Sequence, residues 1–326
     1  MDRTSVIRRV ASATVSAIKP ALTTTRFLVA VMVPVSLAVL LLERFGFMHF
    51  LSIHLDPYMH FLGLSGTASL AFISAMFLNN YSAIAVMGTL GLGMREITIL
   101  ATMCLIAHNL IVESAVMKRT GSSATKMVFL RIGTAIFAAW MMNLILPQAP
   151  ETVANVASNT SIVSSFKSFS VQELPLLFKL WLFQSGLLML KVTIIVCLLM
   201  LVQKLMDEFG VMELLARVTS PLMKVFGLPP SAGFLWIIAN VIGLAYGSAI
   251  MIERAESGKM SPSDEDLFNH HVAISHSLLE DSFLYLAIGV PTLLIILPRL
   301  LLAIIIVWLE RARRFLFRRS FRVGTL

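Results

Sequence analysis

The chain has 326 residues, 57% of them hydrophobic and 13% charged, with a formal net charge of +8. A soluble chain of this length would carry about 25% charged residues, so the composition excludes an ordinary soluble enzyme and indicates an integral membrane protein. The apolar runs lack the period-2 alternation of barrel strands, which leaves an all-α polytopic fold.

In chain order, residues 1–25 read as an amphipathic helix on the cytoplasmic surface, ending near Pro20. Residues 26–43 form a first span. Next comes a mixed segment with His49, His54, Asp56 and His60. His49, Asp56 and His60 would share a helix face from which His54 points away, so an interfacial polar face is expected rather than a metal site. Residues 62–92 are apolar but interrupted by Asn79-Asn80-Tyr81-Ser82 and punctuated by glycines. Buried amides need partners in hydrocarbon, and a re-entrant or discontinuous helical hairpin facing a polar cavity supplies them. Residues 95–117 form a span with His108-Asn109-Leu110-Ile111-Val112-Glu113-Ser114 inside it. Lys118, Arg119, Lys126 and Arg131 then read as one basic cluster, and 127–146 as a further span.

Residues 148–172, rich in Pro, Thr, Ser and Asn, form an external linker, after which the pattern restarts. Residues 174–203 form a span with Lys191 inside it, and 231–253 an interrupted stretch with Asn240, Tyr246 and Ser248. A charged loop follows at 254–266. Residues 267–289 carry His276-Ser277-Leu278-Leu279-Glu280-Asp281-Ser282, and 290–309 form the last span. The arginines from Arg311 to Arg322 make a basic cytoplasmic tail, read as headgroup anchoring rather than nucleic-acid binding. Cys104 and Cys197 sit in apolar runs and suggest neither a disulfide nor a metal site.

A shift of 168 overlays His108 on His276, Glu113 on Asp281, Ser114 on Ser282 and Gly121 on Gly289. A shift of 164 pairs Pro57 with Pro221, Met59 with Met223 and Gly63 with Gly227. Such self-similarity marks an internal duplication, with one unit at 26–147 and the other at 173–310. If the interrupted stretches are re-entrant, each unit makes about three crossings, and the basic clusters fall on one side. Three is odd, so the second unit is inverted, an arrangement typical of secondary transporters with a midplane site.

Each half offers an imidazole, a carboxylate and a neutral hydrogen-bonder. Asn109 and Glu113 are four apart, as are Ser277 and Asp281, and so share a helical face. An intramembrane carboxylate is a functional candidate by default. The expected substrate- or ion-binding set is His108, Asn109, Glu113, Ser114, His276, Ser277, Glu280, Asp281 and Ser282, with Asn79, Asn80, Asn240 and Ser248 from the interrupted stretches. Such a set can hold a proton, a divalent cation or a polar solute, and the choice stays open. Phosphate loops, nucleophile elbows and CxxC pairs are absent, so neither catalysis nor a cofactor is expected.

The two motifs, with the Gly-containing broken stretches before them, resemble the nucleoside-recognition or Gate domain family. That family includes parts of concentrative nucleoside transporters, the membrane part of ferrous iron transport protein B, and spore maturation proteins A and B. The resemblance implies pseudo-symmetric halves with broken helices around a central site. The expectation is a transporter in a bacterial inner membrane, both termini cytoplasmic, moving a small polar solute such as a nucleoside with proton or cation coupling. A membrane scaffold and a divalent-metal permease are the alternatives. The expected partners are the lipid bilayer and a small solute or ion, with no nucleic acid and with a homodimer left open.

Overall fold

A computed structural model describes residues 3–44, 47–147, 174–243, 247–248, 250–252, 255 and 260–323. The linker 148–172 and Tyr246 lie outside the described residues. The chain is all-helical where described. The first half comprises α1 (Arg3–Arg44), α2 (Phe47–Phe61), α3 (Ala68–Phe77), α4 (Asn80–Met87), α5 (Met94–Ala107), α6 (Leu110–Arg119) and α7 (Ala124–Ile145). The second half comprises α8 (Leu174–Glu208), α9 (Val211–Thr219), α10 (Leu222–Val225), α11 (Gly233–Ile237), α12 (Pro262–Ser275), α13 (Glu280–Leu284) and α14 (Thr292–Val323). A π-helical turn, Ile238–Ile242, continues α11, and a 3-10 turn, Tyr285–Ile288, continues α13.

Among the described residues, four helical stretches are long and apolar enough to cross a membrane: Met94–Arg119, Ala124–Ile145, Phe178–Met206 and Thr292–Leu316. Leu182, Phe183, Leu190, Ile194 and Leu198 on α8 are exposed, as expected of side chains that meet lipid rather than water.

The helix ends recur at the spacings read from the sequence. A shift of 168 carries Met94–Ala107 onto Pro262–Ser275 and the start of α7 onto the start of α14; a shift of 164 carries the end of α1 onto the end of α8. The turn after α2, where the N–H groups of Gly63 and Leu64 donate to His60 O and Met59 O, is repeated by Gly227 to Lys224 O and Leu228 to Met223 O. Both glycines sit at positive φ, +73° and +72°. Two corresponding helix pairs meet with the start of one helix against a late part of the other. Arg9, near the start of α1, pairs with Glu208 at the end of α8, at 2.7 Å, and the two helices pack along each other. Lys126, in the first turn of α7, reaches Glu310 far along α14, at 3.1 Å.

Several boundaries differ from expectation. Residues 1–25 are not a separate helix: α1 continues through Pro20. A stripe of buried Ala13, Ala17, Ala21, Met32 and Ser36 lies along one side of α1, and packing along that stripe outweighs the proline's local cost. The expected loop 254–266 ends earlier, because Ser261 caps Asp264 N–H and Pro262 occupies the first helical position of α12. The basic tail is helical to Val323. Arg313 and Arg314 pair with Glu310 three and four residues back, and Arg314 also with Asp266.

Candidate functional site

Neither motif lies within a continuous helix: the apolar stretch Met94–Arg119, matching the expected span 95–117, breaks at His108–Asn109, and the expected span 267–289 breaks at His276–Ser277. His108 leaves the helical region (φ −75°, ψ 160°), and Asn109 turns left-handed (φ 48°) before α6 begins. His276 (φ −53°, ψ 156°) and Ser277 (φ 50°) do the same after α12. These are the two non-glycine residues at positive φ among the described residues, and the conformation costs roughly 1–2 kcal/mol for an L-residue. Both breaks are secured from the helical stretch that precedes them. Asn109 N–H donates to Ala75 O, and Ser277 N–H to Ala239 O, each at 2.8 Å. The sequence pattern could not reveal this, since both motifs are apolar enough to read as helix throughout.

A broken helix leaves carbonyls without partners, and two arginines satisfy them. Arg131 donates through Nε to Ile106 O (2.8 Å) and through a terminal nitrogen to His108 O (2.7 Å). Arg299 donates to Ile274 O (3.2 Å) and His276 O (2.5 Å), and to Ser282 Oγ (3.1 Å). Both side chains are 0% exposed. Arg131 therefore does not belong to a cytoplasmic cluster, as its place near Lys118 and Lys126 had suggested. Arg299 was missed altogether. The shift of 168 that pairs the motifs also pairs Arg131 with Arg299, and that signal could have exposed both.

The imidazoles meet at the centre. His108 Nε2 and His276 Nε2 are 3.4 Å apart. Glu113 Oε1 lies 3.1 Å from His108 Nε2, and Glu113 Oε2 lies 3.0 Å from His276 Nε2 and 2.6 Å from Arg131. Asp281 Oδ2 lies 3.2 Å from His108 Nε2. Each Nδ1 faces a backbone carbonyl, Cys104 O at 3.2 Å for His108 and Val272 O at 2.9 Å for His276. A carbonyl only accepts, so each Nδ1 carries the hydrogen and each Nε2 turns toward the other imidazole and the carboxylates.

A cavity of about 330 Å³ adjoins this cluster, and its lining includes Asn79, Asn80, His108, Asn109, Glu113, Ser248, Ser277, Glu280 and Asp281. The structure thus gathers nine of the thirteen expected residues around one space. His276 stands just behind it, in contact with His108 and Glu113. The other three lie outside the lining, and two of them serve the frame. Ser114 is buried outside the lining, Ser282 accepts from Arg299, and Asn240 donates its side-chain amide to Trp236 O while its backbone carbonyl accepts from Leu279 N–H. Asn79 has a structural duty as well, capping α4 by accepting from Ser82 N–H at 2.9 Å. Tyr285, unanticipated, donates to Asn80 Oδ1 at 3.1 Å.

A second group joins the halves at one end of the molecule. Asn269 Nδ2 donates to Thr120 O at 2.8 Å and Ser122 Oγ at 3.0 Å, and Ser122 Oγ donates to Asp266 at 2.6 Å. Asp266, His270 and Glu310 lie close together there, but Lys126, Arg313 and Arg314 already occupy the carboxylates. Lys191, unexplained by the sequence, borders a separate groove of about 800 Å³ shared by α1, α4 and α8, where Trp181, Gln184 and Leu188 also lie.

The chain is 30% identical over 285 residues to a protein of Bacillus subtilis (strain 168) described as "Uncharacterized membrane protein YvoD", covering 87% of this chain and 89% of that one. No protein-family model matches the chain, and no solved structure does.

Proposed function

The chain belongs to the family of the membrane protein YvoD, and we propose that it is a secondary-type transporter with its site between two inverted repeats. The observation that carries this reading is the buried His108–His276–Glu113–Asp281 cluster, drawn from both halves and open to a 330 Å³ cavity. Charged groups inside a membrane protein are costly, and a set that converges on a cavity is better suited to binding than to packing. The contacts of Arg9 with Glu208 and of Lys126 with Glu310 support the inverted relation. The contacts from Lys126 and Ser122 to Glu310 and Asp266 support placing both basic clusters at one face, taken as cytoplasmic with both termini in a bacterial cell membrane.

The cargo is a small polar solute. The cavity volume sits at the lower end for ligand pockets, and Asn80, Asn109 and Ser277 offer hydrogen bonds to hydroxyls or amides. The resemblance to Gate domain proteins makes a nucleoside the first solute to try. The imidazole pair between carboxylates supplies a place for a coupling proton or cation.

Proteoliposomes containing a pH-sensitive dye test the proposal. Added uridine, adenosine, amino acids and divalent cations should include at least one that drives lumenal acidification in wild type and none that does so in Glu113→Gln/Asp281→Asn. If equally well-folded wild type and double variant give no flux with any probe, the chain is a scaffold and the proposal fails.

A further inference from the structure

The geometry points to a divalent transition-metal site at the centre, with His108 Nε2, His276 Nε2 and Asp281 Oδ2 as ligands and Glu113 as a fourth ligand. The inference rests on reading the cluster as a ligand site, and it names a ligand. A tetrahedral ion with bonds of about 2.0–2.1 Å holds its ligand atoms about 3.3–3.4 Å apart. Here His108 Nε2 lies 3.4 Å from His276 Nε2, 3.2 Å from Asp281 Oδ2 and 3.1 Å from Glu113 Oε1. The three principal ligand atoms all lie within 4.8 Å of one another.

The surroundings have the features of a built site. A metal-bound histidine almost always donates its other ring N–H to a carbonyl or carboxylate, which fixes its tautomer and aim. Both imidazoles do this, to Cys104 O and Val272 O. The two Nε2 atoms therefore face each other and carboxylate oxygens, an arrangement that calls for a proton or a metal ion between them. Arg131 and Arg299 oppose a further cation, yet each is also engaged by backbone carbonyls. Arg131 is 2.6 Å from Glu113 Oε2, which leaves Oε1 for the ion. Two nitrogens with carboxylate oxygens suit a borderline ion such as Zn²⁺, Fe²⁺ or Co²⁺ better than Mg²⁺ or Ca²⁺. The cavity borders His108 and Asp281, so remaining coordination positions can be filled by water or by cargo.

The test uses full-length protein in detergent, stripped with a chelator. Zn²⁺ titration by calorimetry should show one ion per chain. Affinity should fall more than about 100-fold in His108→Gln and His276→Gln, beyond the loss typical of outer-shell changes. Because those variants could misfold, X-ray absorption of Zn²⁺-loaded wild type is read independently and should show two imidazole nitrogens with oxygen ligands. Absence of saturable Zn²⁺ binding, or a shell without imidazole, overturns the inference and leaves a proton as the occupant. Metal binding without flux in the proteoliposome assay would instead overturn the transport reading alone.

Discussion

The two helix breaks share one backbone and differ in how they place charge. At the first, Glu113 reaches Arg131 and both imidazoles, so the carboxylate is tied to the arginine that holds its own break. At the second, Asp281 is one methylene shorter and pairs with His108, while Arg299 takes Ser282 and two carbonyls. The scaffold is matched and the chemistry is not. Glu113 is held by an arginine at 2.6 Å, and Asp281 by an imidazole at 3.2 Å.

The sharpest way to break this contrast is to remove each arginine. Arg131→Met leaves a buried carboxylate without its guanidinium and should cost about 3–5 kcal/mol. Arg299→Met leaves neutral acceptors unpaired and should cost less, about 1–3 kcal/mol. Melting points in detergent, followed by intrinsic fluorescence, compare them, and equal losses would erase the distinction. The carboxylates come next. Glu113→Gln and Asp281→Asn should each abolish flux, but only Glu113→Gln should also lower the melting point, by several degrees.

The ends of the halves extend the comparison. Asn269, Asp266 and Ser122 form the polar junction, whereas the shift of 168 puts Ala101, Thr98 and Val290 at the corresponding positions. Asn269→Ala should therefore cost about 1–3 kcal/mol, the penalty for polar groups left unpaired. The counterpart Ala101→Gly should cost no more than about 1 kcal/mol. The smallest effect is expected at the left-handed residues. Ser277→Gly should gain up to about 1 kcal/mol by relieving its positive φ, and Asn109→Gly less, because asparagine tolerates that region. A larger gain at Asn109 would mean that its side chain, not its backbone, governs the break.

Much of this was legible before any coordinates. Apolar run length revealed the helices, and matched polar motifs in corresponding places marked the centre. The breaks were hidden because hydropathy reports burial and not backbone direction, and His108-Asn109 and His276-Ser277 carry no proline or glycine. Arg131 was hidden by its neighbours: among Lys118, Arg119 and Lys126 it looked like surface charge. Only the fold shows that its guanidinium turns inward to Ile106 O and His108 O. Pro20 misled in the opposite direction, since α1 continues through it with Ala13, Ala17 and Ala21 buried along one side.

The central claim is that the shared cavity serves transport, and access to it from both membrane faces tests this most directly. Val112 lines the cavity with an exposed side chain and no ligand role. Val112→Cys, in a background with Cys104→Ala and Cys197→Ala, can be labelled with a membrane-impermeant thiol reagent in right-side-out and inverted vesicles. Labelling from both faces, slowed by the transported solute, is the result the account predicts. Reaction from one face only, unchanged by any solute or ion, would contradict it.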